Sequence, residues 1–516
     1  MGIGTGMMAT VMAIDQDGAG VKALIVGSTG KLLAKAGTLL RVHRPGEGVA
    51  EVDPEDLWHG VLDVAGKAMA QAGRPIDAVA VTCDGQSVLR LDRATGRALS
   101  AIVLGQDRRA DALRPDLHAH REQIEHVTGT GLDPSRSAWR MAWLTRHHPG
   151  EGVVATVDAW LAVRLTGRFV TDAATAGRSQ LAALDTGCWD PGLAGAFGLD
   201  NGNLPEIVAC DEIIGTTDAF GTGPVPVAAL LSRHGAALLA HHCLAVGQAA
   251  CTYGSGALLA AQIGDTPARS GAGLDTSIAW RLGGVSAYAG EGQLPAAGSA
   301  LTWLVRAGLL HRAADLDDAA LPDPGLLVAV PALAGLGAPW HRPDATGLLA
   351  GWTQETRPAH LVSAVVYGIA AMVAELADLA SFEAAVPLTE LRAGGALSRT
   401  GALMQAQADL LQIPVTARHG AHEAALGAVA AARLALDDTL TVQDALVAGR
   451  GATVYRPRWS PTRAAQYRSS WRASLHGGLD TAPDPPPAGG PACTPDHGRA
   501  HATEPPSANS TPHTAP

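Results

Sequence analysis

Two stretches of this chain repeat one local pattern, and this repetition constrains the fold more than any other feature. Near the N-terminus, the apolar runs ATVMAID (9–15) and KALIV (22–26) flank the turn DGAG (17–20). Midway along, the turn TYGSG (252–256) leads into the apolar run ALLAA (257–261). Short apolar runs joined by glycine-rich turns predict strands paired as hairpins. Two halves that open in the same way predict a duplicated architecture with a cleft between the halves.

The residues around these hairpins predict an α/β fold. Asp53 is expected to cap a helix, since apolar residues follow it at helical spacing. The run AVAVT (78–82) predicts a third strand that ends in the polar turn CDGQS (83–87). Residues 277–282 and 285–289 flank Gly283-Gly284, which predicts a further hairpin.

The composition and net charge of the chain limit the kinds of molecule that it can bind. The 516 residues are 47% hydrophobic, which excludes global disorder, and 38 basic against 49 acidic residues leave a net charge of −11. Nucleic acid and anionic membranes need a basic face, so neither is expected. No uninterrupted apolar stretch of about 18 residues and no basic N-terminal region occur, which favours a cytoplasmic protein. Residues 477–516, rich in Pro, Gly, Ser and Thr, predict a disordered tail.

The cysteines do not form a metal-binding or disulfide motif. None belongs to a CxxC pair or stands beside a histidine at zinc-finger spacing. In a cytoplasmic chain of this length we expect them to be reduced and buried. They are Cys83, Cys188, Cys210, Cys243, Cys251 and Cys493.

Read in order, a dozen collinear segments between about residues 10 and 475 resemble the FGGY carbohydrate kinases, and within them the glycerol kinase branch. The segments include AIDQ (13–16), TGLDP (130–134), TVDAWLAVRLTG (156–167), TYGSG (252–256) and VPALAGLGAPWHRPDATG (330–347). The resemblance implies two actin/heat-shock-like (ribonuclease H-like) ATPase domains, assigned to residues 9–249 and 250–476. It also implies ATP and Mg²⁺ in the cleft between them and a small-molecule substrate, and it leaves a homodimer open.

The residues of the nucleotide half are partly retained. By resemblance, Asp15 is the acid associated with the metal, and the adenosine and phosphate positions fall on Gly18, Gly254, Ser255, Gly256, Gly298, Gly394, Gly395 and Arg399. Bare backbone amides of such glycines can approach an anion. Taken singly, Asp15 could merely cap a turn, and each glycine could merely permit a turn or close packing.

The first phosphate turn departs from the family pattern. Where the family offers Gly-Thr-Thr, this chain has Asp17, Gly18 and Ala19, so two hydroxyl donors are lost and a carboxylate is gained. That carboxylate should weaken ATP binding unless it turns outward or meets a cation. The usual Asn of the adenine region is Arg399, which could stack on a base or fill the pocket.

The acceptor half departs at every position that the resemblance assigns. The catalytic Asp falls on Arg233, and the neighbouring substrate-binding Gln falls on His234. The Arg-Glu pair that grips the polyol falls on Gly85 and Gln86, and a Tyr becomes Ser135. Because a guanidinium cannot accept a proton at neutral pH, His234 is the nearest replacement base. His234 could equally be a packed histidine without a chemical role.

Three hypotheses remain open from the sequence. The chain could be an ATP-dependent phosphotransferase on a non-glycerol molecule, anionic or nitrogen-bearing, since Arg233 beside His234 could receive an anion. It could be a pseudokinase kept for binding or regulation. The third possibility is a cleft that runs non-phosphoryl chemistry, with Arg233 as an electrostatic stabiliser.

Overall fold

A computed structural model of this protein describes residues 8–271, 273–342, 344–418, 422–447 and 451–480. Strands and helices follow one another along these residues. The first strands are β1 (Val11–Gln16), β2 (Gly20–Val26), β3 (Leu32–Leu39), β4 (Glu51–Val52), β5 (Ala78–Cys83), β6 (Val88–Leu91), β7 (Ile102–Val103), β8 (Val153–Thr156), β9 (Val170–Asp172), β10 (Glu206–Val208), β11 (Gly215–Thr217) and β12 (Val225–Ser232). The later strands are β13 (Gln248–Tyr253), β14 (Ala257–Gly264), β15 (Asp275–Leu282), β16 (Val285–Leu294), β17 (Val328–Val330), β18 (Leu348–Ala350), β19 (Glu390–Gly394), β20 (Val415–Arg418) and β21 (Ala452–Tyr455).

The helices lie between these strands. They are α1 (Pro54–Ala72), α2 (Arg114–His118), α3 (Arg121–Thr128), α4 (Ser137–His147), α5 (Val157–Thr166), α6 (Ala173–Gly177), α7 (Pro191–Ala196), α8 (Arg233–Ala240), α9 (Gly298–Arg306), α10 (Leu316–Ala319), α11 (Pro358–Glu383), α12 (Gly401–Leu411), α13 (Glu423–Leu436), α14 (Val442–Ala445) and α15 (Pro461–Asp480).

The first large sheet contains the predicted N-terminal hairpin. Its strand order is β11-β12-β5-β1-β2-β3, with β1 antiparallel to β2 and parallel to β5, which is itself parallel to β12. Helix α1 packs on this sheet and begins as predicted, since the Asp53 carboxylate accepts the Glu55 backbone amide at 2.8 Å.

The second large sheet repeats the pairing of the first. Its order is β15-β16-β14-β13-β19-β20-β21. Strand β13 is antiparallel to β14 and parallel to β19, which is parallel to β20. The run β16-β14-β13-β19-β20 therefore has the same directions as β3-β2-β1-β5-β12. The predicted hairpin at Gly283-Gly284 joins β15 to β16, and both glycines have positive φ (56° and 79°). The duplicated architecture expected from the sequence is present.

Parallel strands bring their carboxyl ends to one edge of each sheet. In the first sheet β1, β5 and β12 end at Gln16, Cys83 and Ser232, which places the residues that follow them side by side. In the second sheet β13 and β19 end at Tyr253 and Gly394. Ligands of α/β sheets bind at such edges, so both groups of loops are positioned to form a site.

Helix α13 joins the two sheets although it belongs to the second half of the sequence. It contacts α8 and strands β12, β5 and β1, and one apolar cluster contains residues of both sheets. The domain ranges 9–249 and 250–476 stay a prediction.

Helix α11 is the most apolar long helix of the described residues. By length and composition it could cross a membrane, but 78% of its most apolar window is buried inside the protein. It packs in the core of the second sheet, which is the environment of a core helix.

Two expectations need correction. Cys188 is exposed, because it lies in a surface turn, whereas Cys83, Cys210, Cys243 and Cys251 are free and buried. Residues 477–480, which were predicted to belong to the tail, continue helix α15, and Leu479 of this helix packs against the apolar core of the second sheet. Cys493 and the rest of the predicted tail, 481–516, lie outside the described residues.

Candidate active site

Strand β1 ends on a buried carboxylate. Asp15 is 2% exposed, and burial raises the pKa of its carboxyl group while the charge of Arg233 lowers it. The next residue, Gln16, ties this strand end to two turns. Its side-chain nitrogen Nε2 donates to the Gly18 carbonyl at 3.4 Å, and its side-chain oxygen Oε1 accepts the Asp84 backbone amide at 3.5 Å.

The turn after β1 holds the unexpected carboxylate against cations. Gly18 adopts a positive φ of 80°, and the Asp17 amide closes the turn by donating to the Gly20 carbonyl at 3.0 Å. The Asp17 carboxylate lies 2.7 Å from Lys22 Nζ and 3.5 Å from Arg233 Nη1. The charge that should repel a triphosphate is therefore balanced within the protein.

Arg233 opens helix α8 directly after the end of β12. The Ser232 hydroxyl caps this helix by accepting the Gly235 amide at 3.3 Å. Arg233 Nη1 lies 3.1 Å from Asp15 Oδ1, yet the two atoms are not aligned as a hydrogen bond, and each is buried without a hydrogen-bond partner. A positive charge in the first turn of a helix is unfavourable, because the N-terminal end of the helix dipole is also positive. The carboxylates of Asp15 and Asp17 offset this repulsion.

His234 follows Arg233 and carries a neutral imidazole. Burial lowers its pKa well below the usual value, and the positive charges of Arg178, Arg233 and Arg136 lower it further. Its Nδ1 atom is buried without a hydrogen-bond partner. An unprotonated ring with one unsatisfied nitrogen can accept a hydrogen bond, but such a depressed pKa makes it a weak base.

Arg136 and Arg178, which sequence reasoning missed, surround this histidine and are themselves paired. Arg178 contacts the Glu291 carboxylate, and Arg136 contacts Asp275 and lies 3.2 Å from Asp133. Arg136 directly follows the predicted acceptor-site serine, which was the one signal in the sequence that could have indicated it. The arginines of this region therefore carry their own counter-ions.

The predicted acceptor residues Gln86 and Ser135 are brought together by a buried arginine. Arg140, 1% exposed, donates to the Gln86 carbonyl at 3.0 Å and to the Ser135 carbonyl. Gly85 has a positive φ of 69°, so it serves the turn. The side-chain oxygen of Gln86 abuts Gly105. Both residues therefore contact Arg140 through their backbone carbonyls, and their assignment to an acceptor site stays a prediction.

The glycine turn after β13 touches the start of α9. The Gly254 amide donates to the Gly256 carbonyl at 2.8 Å, and the Gly298 amide donates to the Gly254 carbonyl at 3.0 Å. A Cβ at Gly298 would lie 2.5 Å from the Gly254 oxygen, so only glycine permits this approach. Because the amides of Gly254 and Gly298 are both already committed, these two glycines shape the loop rather than offering donors. Gly254 and Ser255 are exposed.

The turn after β19 joins the same surface. Gly395 has a φ of 82°, and a Cβ there would lie 2.4 Å from the Tyr253 oxygen. Its amide donates to the Glu423 carboxylate at 3.4 Å, whereas Gly394 packs against His241. Burial raises the pKa of Glu423 and the charge of Arg233 lowers it. Arg233 therefore acts electrostatically on the carboxylate that holds the Gly395 turn.

Cations cluster beside this junction. Burial lowers the pKa of His422, and the charges of Lys35, Lys22 and Arg399 lower it further. Lys22 and Lys35 come from β2 and β3, and Arg399 follows the Gly394-Gly395 turn. The predicted adenosine-region residue thus belongs to a group of three cations near His422, here called the cationic rim.

The buried acid Asp172 supports the end of β12, and neither it nor the buried Asp158, whose charge acts on it, was among the predicted site residues. Burial and the charge of Asp158 raise the pKa of Asp172 to about 7. Asp172 Oδ1 accepts the amides of Ala174, Thr175 and Ser232, at 2.9, 3.0 and 3.3 Å. Asp172 therefore positions the residue that precedes Arg233.

The described residues fit nucleotide phosphates better than they fit a metal. The glycine loops and the cationic rim suit an anion. For Mg²⁺, the predicted ligand Asp15 is in ion contact with Arg233. Among the residues that the structure describes, no group of three or more His, Cys, Asp or Glu side chains could hold a metal ion. These residues therefore do not form a Mg²⁺ site of their own.

Comparison with known sequences places both halves in one family. Residues 10–239 match the N-terminal domain and residues 249–436 the C-terminal domain of the "FGGY family of carbohydrate kinases". A glycerol kinase of Alkalilimnicola ehrlichii is 35% identical over 91% of this chain and 98% of that protein. A glycerol kinase of Thermus brockianus is 34% identical, again over 91% of this chain and 98% of that protein.

Solved structures show the same fold. Plasmodium falciparum glycerol kinase, solved with ADP, superposes with a TM-score of 0.86 at 23% identity, over 92% of this chain and 98% of that chain. Gluconate kinase from Lactobacillus acidophilus superposes with a TM-score of 0.83 at 18% identity, over 92% of this chain and 98% of that chain. At these identities the likeness concerns the fold alone.

Proposed function

This chain belongs to the FGGY family of carbohydrate kinases. We propose that it binds ATP in its cleft, as that family implies, but that it is not an efficient glycerol kinase. The predicted family and its two-domain ATPase fold are confirmed. What the cleft does is the proposal.

One observation carries the proposal. Arg233, which occupies the position that the resemblance gives to the catalytic carboxylate, lies 3.1 Å from Asp15 Oδ1. A guanidinium stays protonated at neutral pH and cannot take the proton of an acceptor hydroxyl. A general base accelerates such proton transfers by about 10²–10⁴-fold. Transfer to glycerol should therefore be slower by at least about 10²-fold than in a kinase that keeps the carboxylate.

Binding of ATP is supported by the glycine turns of the second sheet and by three nearby cations. The turns at Gly254–Gly256 and Gly395 meet through contacts that only glycine allows. Lys22, Lys35 and Arg399 contribute positive charge beside them. A nucleotide, when bound, would bring a phosphate chain that these cations can stabilise beside turns without side chains. We expect this protein in the cytoplasm, and a homodimer stays a prediction.

A second candidate is phosphoryl transfer to another acceptor, anionic or nitrogen-bearing. It is favoured by His234, whose neutral imidazole has a buried Nδ1 without a partner. Because phosphoryl transfer is largely dissociative, a weak base reduces the rate without forbidding the reaction. Non-phosphoryl chemistry gains no support from the described contacts.

Calorimetric titration with ATP tests the proposal. We expect saturable one-to-one binding, and Arg74→Asp, an exposed loop arginine, should leave that binding unchanged. A wild-type protein that binds no ATP at millimolar concentration would exclude the proposed function. If ATP binds, ³¹P NMR with a panel of hydroxy acids and amino alcohols decides for or against the second candidate.

A further inference from the structure

We propose that Arg233 takes the place of the divalent metal, so that nucleotide binding by this protein does not require Mg²⁺. This inference rests on the proposed function, since it concerns the charge that neutralises the phosphates of a nucleotide in the cleft. It goes beyond that function because it changes the cofactor requirement that the family implies.

The carboxylates that would hold a metal already have cationic partners. Asp15 Oδ1 lies 3.1 Å from Arg233 Nη1, and Asp17 Oδ2 lies 2.7 Å from Lys22 Nζ. Mg²⁺ demands near-octahedral oxygen ligands and loses its water reluctantly. To enter, it would have to separate these pairs and lie beside a fixed guanidinium of the same charge sign.

The position of Arg233 suits the task that the metal would perform. Arg233 follows strand β12 of the first sheet, and its charge acts on Glu423, whose carboxylate accepts the amide of Gly395 in the turn after β19 of the second sheet. The guanidinium therefore contacts the predicted metal ligand Asp15 and also acts electrostatically on the carboxylate that holds a predicted nucleotide loop. A planar fork of donors matches phosphate oxygens in a way that a point charge does not.

Arg233 also has hydrogen-bonding capacity that its ion pair leaves unused. Nη1 is buried and forms no hydrogen bond, although Asp15 Oδ1 is only 3.1 Å away. A buried donor without a partner is unfavourable, and an acceptor oxygen delivered by a ligand removes that penalty. A phosphate oxygen at this position would satisfy Nη1 while the carboxylates keep the guanidinium in place.

Titration of ATP in EDTA and in excess Mg²⁺ tests the inference on the full-length protein. For the wild type we expect the dissociation constant to differ by less than about threefold between the two buffers. Arg233→Gln, which removes the charge, should weaken binding in EDTA by roughly tenfold or more. Arg74→Gln is the matched control and should behave like the wild type.

The outcomes separate the inference from the proposed function. Wild-type binding that weakens tenfold or more in EDTA contradicts the inference and leaves ATP binding intact. Unchanged binding by Arg233→Gln in EDTA contradicts the role of this residue, provided that thermal unfolding shows the variant to be folded. Absence of binding in both buffers overturns the proposed function together with the inference.

A second measurement does not depend on that variant. Electron paramagnetic resonance of free Mn²⁺ measures how tightly ATP holds the metal with and without wild-type protein. By linkage we expect the dissociation constant of Mn²⁺ from ATP to change by less than about threefold when protein is added. Binding of Mn²⁺ that becomes roughly tenfold or more tighter in the presence of protein would contradict the inference.

Discussion

At the scale of single residues, the exchange of charge at position 233 explains more of the site than any other feature. A cation replaces the carboxylate expected there, and two carboxylates, Asp15 and Asp17, lie within 3.5 Å of it. Asp17, which alone would repel a triphosphate, becomes intelligible as a counter-ion of Arg233 and Lys22. Substitutions that look independent in the sequence form one balanced group in the structure.

Asp172 makes a pH prediction possible. Its pKa in the folded protein is about 7, raised from 3.8 by burial and Asp158. The folded state therefore binds more protons than the unfolded state between these values, so stability falls as pH rises from about 4 to about 7. We expect Asp172→Asn to reduce this loss by about 1–3 kcal/mol between pH 4 and pH 8. Urea unfolding at both pH values measures it.

The matched control for this pH experiment is Asp200→Asn. Asp200 caps a short 3₁₀ helix in the same way, through its carboxylate and the Gly202 amide, but it is exposed. It should leave the pH dependence of the wild type unchanged. Equal slopes for wild type and Asp172→Asn would show that Asp172 is not the titrating group.

At the scale of elements, the glycine turns are the features that sequence patterns identified best. The strands around residues 9–26 and 252–261, the helix after Asp53 and the hairpin at Gly283-Gly284 were all predictable, because apolar periodicity and turn residues act locally. The partners of Arg233 and the pairing of Arg178 with Glu291 were not. They depend on which strand ends meet, and no local pattern encodes that.

The turn after β19 permits a test of close approach. Gly395→Ala places a Cβ 2.4 Å from the Tyr253 oxygen at a φ of 82°, whereas Gly221→Ala, at a φ of 71°, meets nothing within 4 Å. Both substitutions carry the strain of a left-handed residue, about 1 kcal/mol. We expect Gly395→Ala to be the more destabilising by a further 1–3 kcal/mol, roughly, and to weaken ATP binding as well. Equal unfolding free energies for the two variants would contradict the observed packing.

At the scale of the whole molecule, the two sheets share helices α8 and α13. A Cβ at Gly427 of α13 would lie 1.9 Å from the Ala236 oxygen of α8, so these helices touch backbone to backbone. The sequence predicted two similar halves correctly, but a domain boundary drawn along the chain assigns α13 to one half only. Helix α13 packs on the first sheet through small residues, mainly alanines, and these give no strong hydrophobic periodicity in the sequence.

Gly427→Ala tests this contact. The added methyl group forces α8 and α13 apart, and we expect the unfolding free energy to fall by roughly 2–4 kcal/mol. Gly66→Ala in α1 is the control, since a Cβ there meets nothing within 4 Å and alanine favours a helix. It should be neutral or stabilising. Comparable destabilisation by both variants would indicate that α13 does not join the sheets as described.

The most direct test of the central claim is single-turnover phosphorylation of glycerol by the wild-type protein, with protein in excess over [γ-³²P]ATP. We expect glycerol phosphate to form at least about 10²-fold more slowly than the roughly 1–10³ s⁻¹ typical of enzymes, because a guanidinium occupies the position of the base. Formation of glycerol phosphate at rates on the order of 1–10³ s⁻¹ would contradict this expectation.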